Sequence, residues 1–212
     1  MTTLYLIRHG ETDFNRQGIV QGGGIDSHLN ETGHMQAQAF FQAYGHIRFD
    51  AVYASTLRRT HQTLAPFLSN GHALRVHEGL NELGWGVQEG QNPDGAAKTQ
   101  FQYVLQRWKD GYLDEKVEGG ESPLEGWARA KPLFERLAHD HPHQTLLLCS
   151  HGRQLRIILS EILGKGLHNM HLFDHHNTAL NLVRLAPDGA AFAEKLNDIT
   201  HLAPLNGHGG LV

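Results

Sequence analysis

Short apolar runs alternate with longer helical stripes along the chain. Leu4-Tyr5-Leu6-Ile7 is a run of strand formers ending at Arg8-His9-Gly10, where glycine permits a turn, so Arg8 and His9 are placed at a strand's carboxyl end. From Asn30 to Tyr44, the residues Met35, Ala39, Phe40 and Ala43 recur at helical spacing behind a good N-cap, Asn30, and Gly45 closes the segment. Ala51-Val52-Tyr53-Ala54 predicts a second strand. Leu57, Thr60, Leu64, Phe67 and Leu68 predict the helix after it, with Ser55 to Arg59 at the junction. Leu74 to Val76 predicts a third, short strand, and Gly79 to Gly95 reads as a glycine-rich loop carrying Glu82, Trp85 and Glu89. Within residues 96–117, Phe101, Val104, Leu105 and Trp108 stand at spacings of three and four and predict an amphipathic helix.

Gly119-Gly120-Glu121-Ser122-Pro123 breaks the chain, and Ser122 with Pro123 opens a helix that reaches about Ala138. Thr145 to Cys149 is the clearest buried strand. It runs into Ser150-His151-Gly152 and then a helix from Arg153 to Leu163. Asn177 to Leu185 and Ala190 to Leu196, joined through Pro187-Asp188-Gly189, predict a closing hairpin, and the glycine-rich end from Asn206 to Val212 reads as a loose tail. The alternation predicts an α/β fold: an open, mostly parallel sheet with helices on both faces, in which ligands collect at the carboxyl ends of the strands. Those ends carry Arg8-His9, Ser55 to Arg59, and Ser150-His151.

Composition narrows the choices. A chain of 212 residues with 40% hydrophobic and 19% charged residues is expected to form a single domain, 1–212. No window approaches the roughly 18 apolar residues of a membrane span. The first residues resemble a strand rather than a secretory signal, so a cytoplasmic protein is expected. The formal charge of -4 gives no general attraction to nucleic acid, and phosphate preference has to come from a local pocket. The single cysteine, Cys149, reads as a small buried hydrophobe.

Two arginines and two histidines at neighbouring strand ends suit phosphoryl transfer. Arginine offers a planar fork that holds two phosphate oxygens. A neutral imidazole attacks phosphorus and divides one difficult displacement into two easier ones. Gln21-Gly22-Gly23-Gly24-Ile25-Asp26 lacks the Gly-Lys-Ser/Thr ending of a P-loop, which argues against nucleotide binding there. His168, His171, His175 and His176 lie close together but lack the carboxylate or cysteine partners and spacing of a recognised metal motif, so a solvated, histidine-rich connection is expected.

Leu6-Ile7-Arg8-His9-Gly10-Glu11-Thr12 followed by Asn15 resembles the signature of the histidine phosphatase superfamily, the phosphoglycerate mutase-like proteins. Ser55-Thr56-Leu57-Arg58-Arg59-Thr60, Leu80-Asn81-Glu82, Gly119-Gly120-Glu121-Ser122, and Ser150-His151-Gly152 with Arg156 follow in the family's order. Asn177-Thr178-Ala179-Leu180 extends the resemblance more weakly. It implies that His9 is the phosphorylated nucleophile, that Arg8, Arg59 and His151, with Gly152, hold the phosphoryl group, and that Glu82 is the proton donor, with Glu89 as the alternative in the same loop. Asn15 and Gln21 resemble positions that hydrogen-bond phosphate or substrate, although either could be a turn former. The segment from Gln21 to Asp26 has three residues between the Gln-Gly pair and the aspartate where the family commonly has two. The resemblance further implies a metal-independent phosphatase with no cofactor, acting on a small phosphorylated metabolite and compatible with a homodimer. A lid-like insertion at about 85–118 is expected to set specificity. A mutase and a non-catalytic phosphate- or protein-binding module remain as alternatives.

Overall fold

The computed structural model describes residues 1–91 and 94–206. Six strands form one sheet: β1 (Thr2–Arg8), β2 (Ala51–Ala54), β3 (Leu74–Val76), β4 (Thr145–Ser150), β5 (Leu180–Leu185) and β6 (Ala191–Asp198). Their order is β3-β2-β4-β1-β5-β6. The pairs among β3, β2, β4 and β1 are parallel, and β5 and β6 add an antiparallel hairpin at one edge. The sheet is open and mostly parallel, as the alternation predicts. The hairpin turns at Gly189, whose φ of 86° lies in the left-handed region.

The central strands are buried on both faces, and alternate residues face opposite helices. Leu4 and Leu6 with Leu146 and Leu148 meet α5 (Pro123–Asp140) and α6 (Gly152–Ile162). Ile7 with Leu147 and Cys149 meets α2 (Glu31–Tyr44) and α3 (Arg58–Ser69), through Phe40, Leu64 and Phe67. Cys149 is fully buried, and burial pushes its thiol far above the ordinary range. It is a packed hydrophobe. Among the described residues no helix is long and apolar enough to cross a membrane.

Helix α2 starts where Asn30 caps the backbone N–H of Gly33 at 2.9 Å. Its buried stripe differs from the predicted one: Gly33, Ala37, Ala39 and Phe40 face inward, while Met35 is exposed. The first turn sets that rotation, because Gly33 lies against the backbone after β1. A Cβ on Gly10 would come within 2.6 Å of the Gly33 carbonyl oxygen. Helix α1 (Asp13–Gln17) is a short turn capped by Thr12. Helix α4 (Gly95–Lys109) is shorter than the predicted 96–117, because the chain turns at Gly111 with φ 92°. Its Val104 and Trp108 form a separate apolar cluster with Leu83, Trp85, Val117, Ile157, Leu167 and Met170. This cluster seats the 85–118 segment against α6. Residues 207–212 of the expected tail lie outside the described residues.

Candidate active site

The parallel register levels the three chemistry-bearing strand ends. Ile7 pairs with Cys149 and Ala54 with Cys149, so Arg8-His9, Ser55 and Ser150-His151 emerge side by side. A cavity of about 360 Å³ opens there, lined by Arg8, His9, Arg59, Glu82 and Gly152 among others.

The imidazole of His9 is almost completely buried, and its Nδ1 lies 2.7 Å from the Gly10 carbonyl oxygen. A carbonyl can only accept, so Nδ1 carries the proton and Nε2 keeps its lone pair. Burial, then the charges of Arg59 and Arg8, hold His9 well below the usual histidine range. The loop is braced by main-chain contacts: Gly10 N–H donates to Thr63 Oγ1 at 2.9 Å, and Asn177 Nδ2 donates to the His9 carbonyl at 2.9 Å. Thr178, with φ 56°, donates its N–H to the Arg8 carbonyl. A β-branched residue in that region is strained, and the strain is spent holding the end of β1.

Arg59 is fully buried in the first turn of α3. Its Nη1 donates to Ile25 O at 2.6 Å, Nη2 to Gly22 O at 3.0 Å, and Nε to His151 Nδ1 at 3.1 Å. Two of its five N–H groups therefore remain for a ligand. Asp26 braces the same helix start, accepting the Arg58 N–H at 2.7 Å and Arg58 Nε at 2.8 Å. Although partial burial opposes its charge, those Arg58 bonds hold Asp26 below the ordinary carboxylate range. Arg8 is freer: Nη1 donates to His175 O at 2.9 Å, while Nε is buried without a partner. Gly152 gives it room, since a Cβ there would sit 3.4 Å from Arg8 Nε.

His151 is placed differently from a residue pointing at ligand. It is fully buried beside His9, ring centroids 5.1 Å apart, and its nitrogens meet Arg59 Nε and, at 2.8 Å, Ser55 Oγ. Burial, then Arg59, His9 and Arg8, hold it well below the usual histidine range, so in the ligand-free molecule it is neutral and not an imidazolium. The Arg59 donor requires a bare Nδ1, which leaves the proton on Nε2 facing Ser55.

Glu82 lines the cavity and occupies the head of α6. One carboxylate oxygen accepts the N–H groups of Leu83 and Gln154, both at 2.9 Å, and the other that of Arg153 at 3.3 Å. Its loop is pinned by the start of α5 and the segment leading into it: Glu121 accepts the Gly84 N–H at 2.9 Å, and Arg129 of α5 donates to Glu121 and to the Asn81 carbonyl. Glu89 does another job. Its Oε1 accepts the Trp85 N–H at 2.9 Å and the Gly24 N–H at 3.2 Å, tying two loops together.

Asn15 and Gln21 also reach the cavity wall, with their polar ends largely committed. Asn15 Oδ1 accepts the Thr12 N–H in a capping box and a bond from Asn177 Nδ2. Gln21 donates to Thr12 Oγ1 at 2.8 Å and accepts from the Ser27 hydroxyl. The histidine-rich connection divides. His168 and His176 are exposed, whereas His175 is buried in the cavity wall, which corrects the expectation of a uniformly solvated run. Among the described residues no three histidine, cysteine or carboxylate side chains stand together as a metal-holding group.

Lys98, Phe101 and Arg153, which no motif marks as site residues, also line the cavity, as does His175, which the sequence pattern places in a solvated connection. The one available signal was Arg153, directly after the His151-Gly152 strand end.

The sequence matches the profile of the histidine phosphatase superfamily (branch 1) over residues 4–198. It is 33% identical over 176 residues to a 2,3-bisphosphoglycerate-dependent phosphoglycerate mutase of Mesorhizobium japonicum, covering 77% of this chain and 82% of that one. It is 27% identical over 204 residues to phosphoserine phosphatase 1 of Hydrogenobacter thermophilus, covering 95% of each. A mycobacterial glucosyl-3-phosphoglycerate phosphatase shares the fold, with a TM-score of 0.80 at 24% identity over 92% of this chain and 98% of that one. The chain belongs to the histidine phosphatase superfamily.

Proposed function

We propose that the protein hydrolyses phosphate monoesters of small metabolites, without a metal ion, through a phosphohistidine on His9. The observation that carries this reading is the His9 Nδ1 bond to Gly10 O, 2.7 Å, at a cavity lined by Arg8 and Arg59. It supports a bare Nε2 in a cationic wall. The ester's phosphoryl oxygens take the open N–H groups of Arg8 and the two spare ones of Arg59. The Nε2 lone pair attacks phosphorus, the bond to the alcohol oxygen breaks, and that oxygen takes a proton from Glu82. Water then attacks the phosphohistidine and gives a proton to the Glu82 carboxylate; the N–P bond breaks and inorganic phosphate leaves. His151 serves as a neutral donor: its Nε2–H can turn from Ser55 to a phosphoryl oxygen while Nδ1 keeps its bond from Arg59. Gly152 keeps that wall open.

Turnover with a phosphorus-labelled ester, stopped under denaturing alkaline conditions, tests the reading. The label is expected on His9; a label on serine or on Cys149 would overturn it. The mutase relative at 33% identity keeps a second reading, transfer from His9 to an acceptor hydroxyl instead of water. Release of inorganic phosphate, as against an isomerised ester, separates the two.

A further inference from the structure

The proposed chemistry occupies Arg8 and Arg59 and leaves much of the cavity's charge without a task. Five basic side chains line the cavity, Arg8, Arg59, Lys98, Arg153 and Arg156, against one carboxylate, Glu82. One phosphoryl dianion before His9 answers the first two. Arg153 leaves the first turn of α6 and lies over the rings of Trp85 and Trp108, its guanidinium carbon 5.7 and 5.5 Å from their centroids. Indole faces steady a cation but offer no hydrogen-bond acceptor in the ring plane. Among the described residues Arg153 makes no ion pair, whereas Arg156, on the same helix, reaches Asp174 at 3.2 Å.

His175 supplies an independent observation. It is 8% exposed, lines the same cavity, and neither ring nitrogen has a hydrogen-bond partner. Buried polar atoms left bare are rare in native proteins, because each gives up its water without compensation. Burial, then the charges of Arg156, Arg8 and Arg153, keep the ring neutral. Such a ring, on a cavity wall that also carries Arg8, Arg153 and Arg156, lacks an anion.

We propose that Arg153 and His175, with Arg156 and Lys98, form a second anion subsite, so that the preferred substrate is a phosphate ester bearing a further carboxylate or phosphate. The inference rests on the hydrolase reading for where the phosphoryl group sits. The second group accepts the Arg153 fork and one His175 N–H, filling donors that are bare in the free protein. A cavity of about 360 Å³ suits a compact ester in which both groups are held at once.

Two probe pairs differ in the second group. 3-Phosphoglycerate carries a carboxylate where glycerol 3-phosphate has a hydroxymethyl, and fructose 1,6-bisphosphate carries a phosphate that fructose 6-phosphate lacks. Affinity is read by calorimetry on His9→Ala protein, and kcat/KM on protein with His9 intact. At least one pair is expected to show a preference of about tenfold to a hundredfold for the doubly anionic member, the scale of one or two charge-assisted hydrogen bonds. The pair that shows it identifies the second group. Arg153→Met should shrink that preference to within about threefold, and Arg153→Lys should restore part of it, since charge without the fork binds less well. Circular dichroism checks that both variants fold. Equal affinity for both members of both pairs would overturn the subsite even if Arg153→Met failed to fold, and so would proportionate losses for all probes in that variant. Hydrolysis of p-nitrophenyl phosphate keeps the two inferences apart. Turnover with no preference removes the subsite alone, and a binding preference with no turnover of any ester removes the hydrolase reading alone.

Discussion

Where the three strands end, His9 bonds to Gly10, His151 lies between Arg59 and Ser55, and Arg59 bonds to Gly22 and Ile25. On the outer wall, built from α4, the start of α6 and the stretch around His175, Arg153 has two indole faces and neither ring nitrogen of His175 has a partner. The inner wall holds its geometry in the absence of ligand, which suits groups that must meet a transition state without reorganising. The outer wall is incomplete until something binds. Unfilled donors cost folding stability and return it as selectivity when the right ligand supplies the acceptors. Arg8 straddles the boundary, with Nη1 satisfied and Nε bare.

The comparison breaks most visibly if the inner wall is dispensable. His9→Ala is expected to lower phosphate release by a factor of about 10⁴ or more while the fold persists, the scale of losing a nucleophile. Appreciable turnover by purified variant would remove His9 from the chemistry. Next in size is the acid. Glu82→Gln should cost about a hundredfold on an alkyl phosphate and far less on p-nitrophenyl phosphate, whose leaving group needs little protonation, provided that phosphoenzyme formation limits both. Glu89→Gln, which ties loops at the rim, should slow both esters alike. If the contrast appears at Glu89, the acid has been misassigned.

A smaller effect tests the electrostatics of both walls together. His9, His151 and His175 are held well below their ordinary range in the folded protein. Unfolded, they titrate near 6.5, so below that pH the unfolded chain binds more protons and stability falls as pH drops. Each such histidine contributes up to about 1.4 kcal/mol per pH unit below its unfolded value. Denaturant titrations between pH 7.5 and pH 5.5, values chosen to bracket the usual histidine range of about 6.5, should show that loss, and a tight-binding phosphate ester should alter it. A flat profile would mean that these rings are not buried as neutral groups. The smallest expected effect is none: a chelator should leave phosphate release unchanged, because arginines supply the charge that a divalent ion supplies elsewhere. Loss of activity with recovery on adding one metal would bring the histidines of the 168–176 stretch into the site.

The inner wall was legible because local patterns fixed it. A buried strand running into polar residues is a short-range signal, closed by glycine at Gly10 and Gly152 and by a helix start after Ser55, and the three strand ends placed Arg8-His9, Ser55 and Ser150-His151 together once a parallel sheet was inferred. Beyond the position of Arg153 just after a strand end, the outer wall was not legible. Whether His175 is buried and His176 exposed depends on how residues 167–178 fold back over α6, and no periodicity in that stretch reports it. Arg153 looks like any solvent-facing arginine on a helix until Trp85 and Trp108 arrive from elsewhere in the chain. Met35 was assigned inward on spacing alone, although the rotation of α2 is set by a backbone contact at Gly33 that side-chain patterning does not encode. Asn15 and Gln21 line the cavity, but their capping and bracing bonds depend on Thr12, Ser27 and Asn177, which no local pattern reports.

That contact between Gly10 and Gly33 acts as a spacer with no adjustable parts. Side chains of a core can be exchanged and repacked to shift a loop by tenths of an ångström, but two backbones already touching can only be pushed apart. Alanine at Gly10 would meet a carbonyl oxygen 2.6 Å away, and the relief available is to move α2 as a body. The gap between the His9–Gly10 loop and α2 is therefore a fixed dimension of the architecture, and variation in what the cavity accepts falls to the wall where α4 and the two tryptophans have side chains to spare.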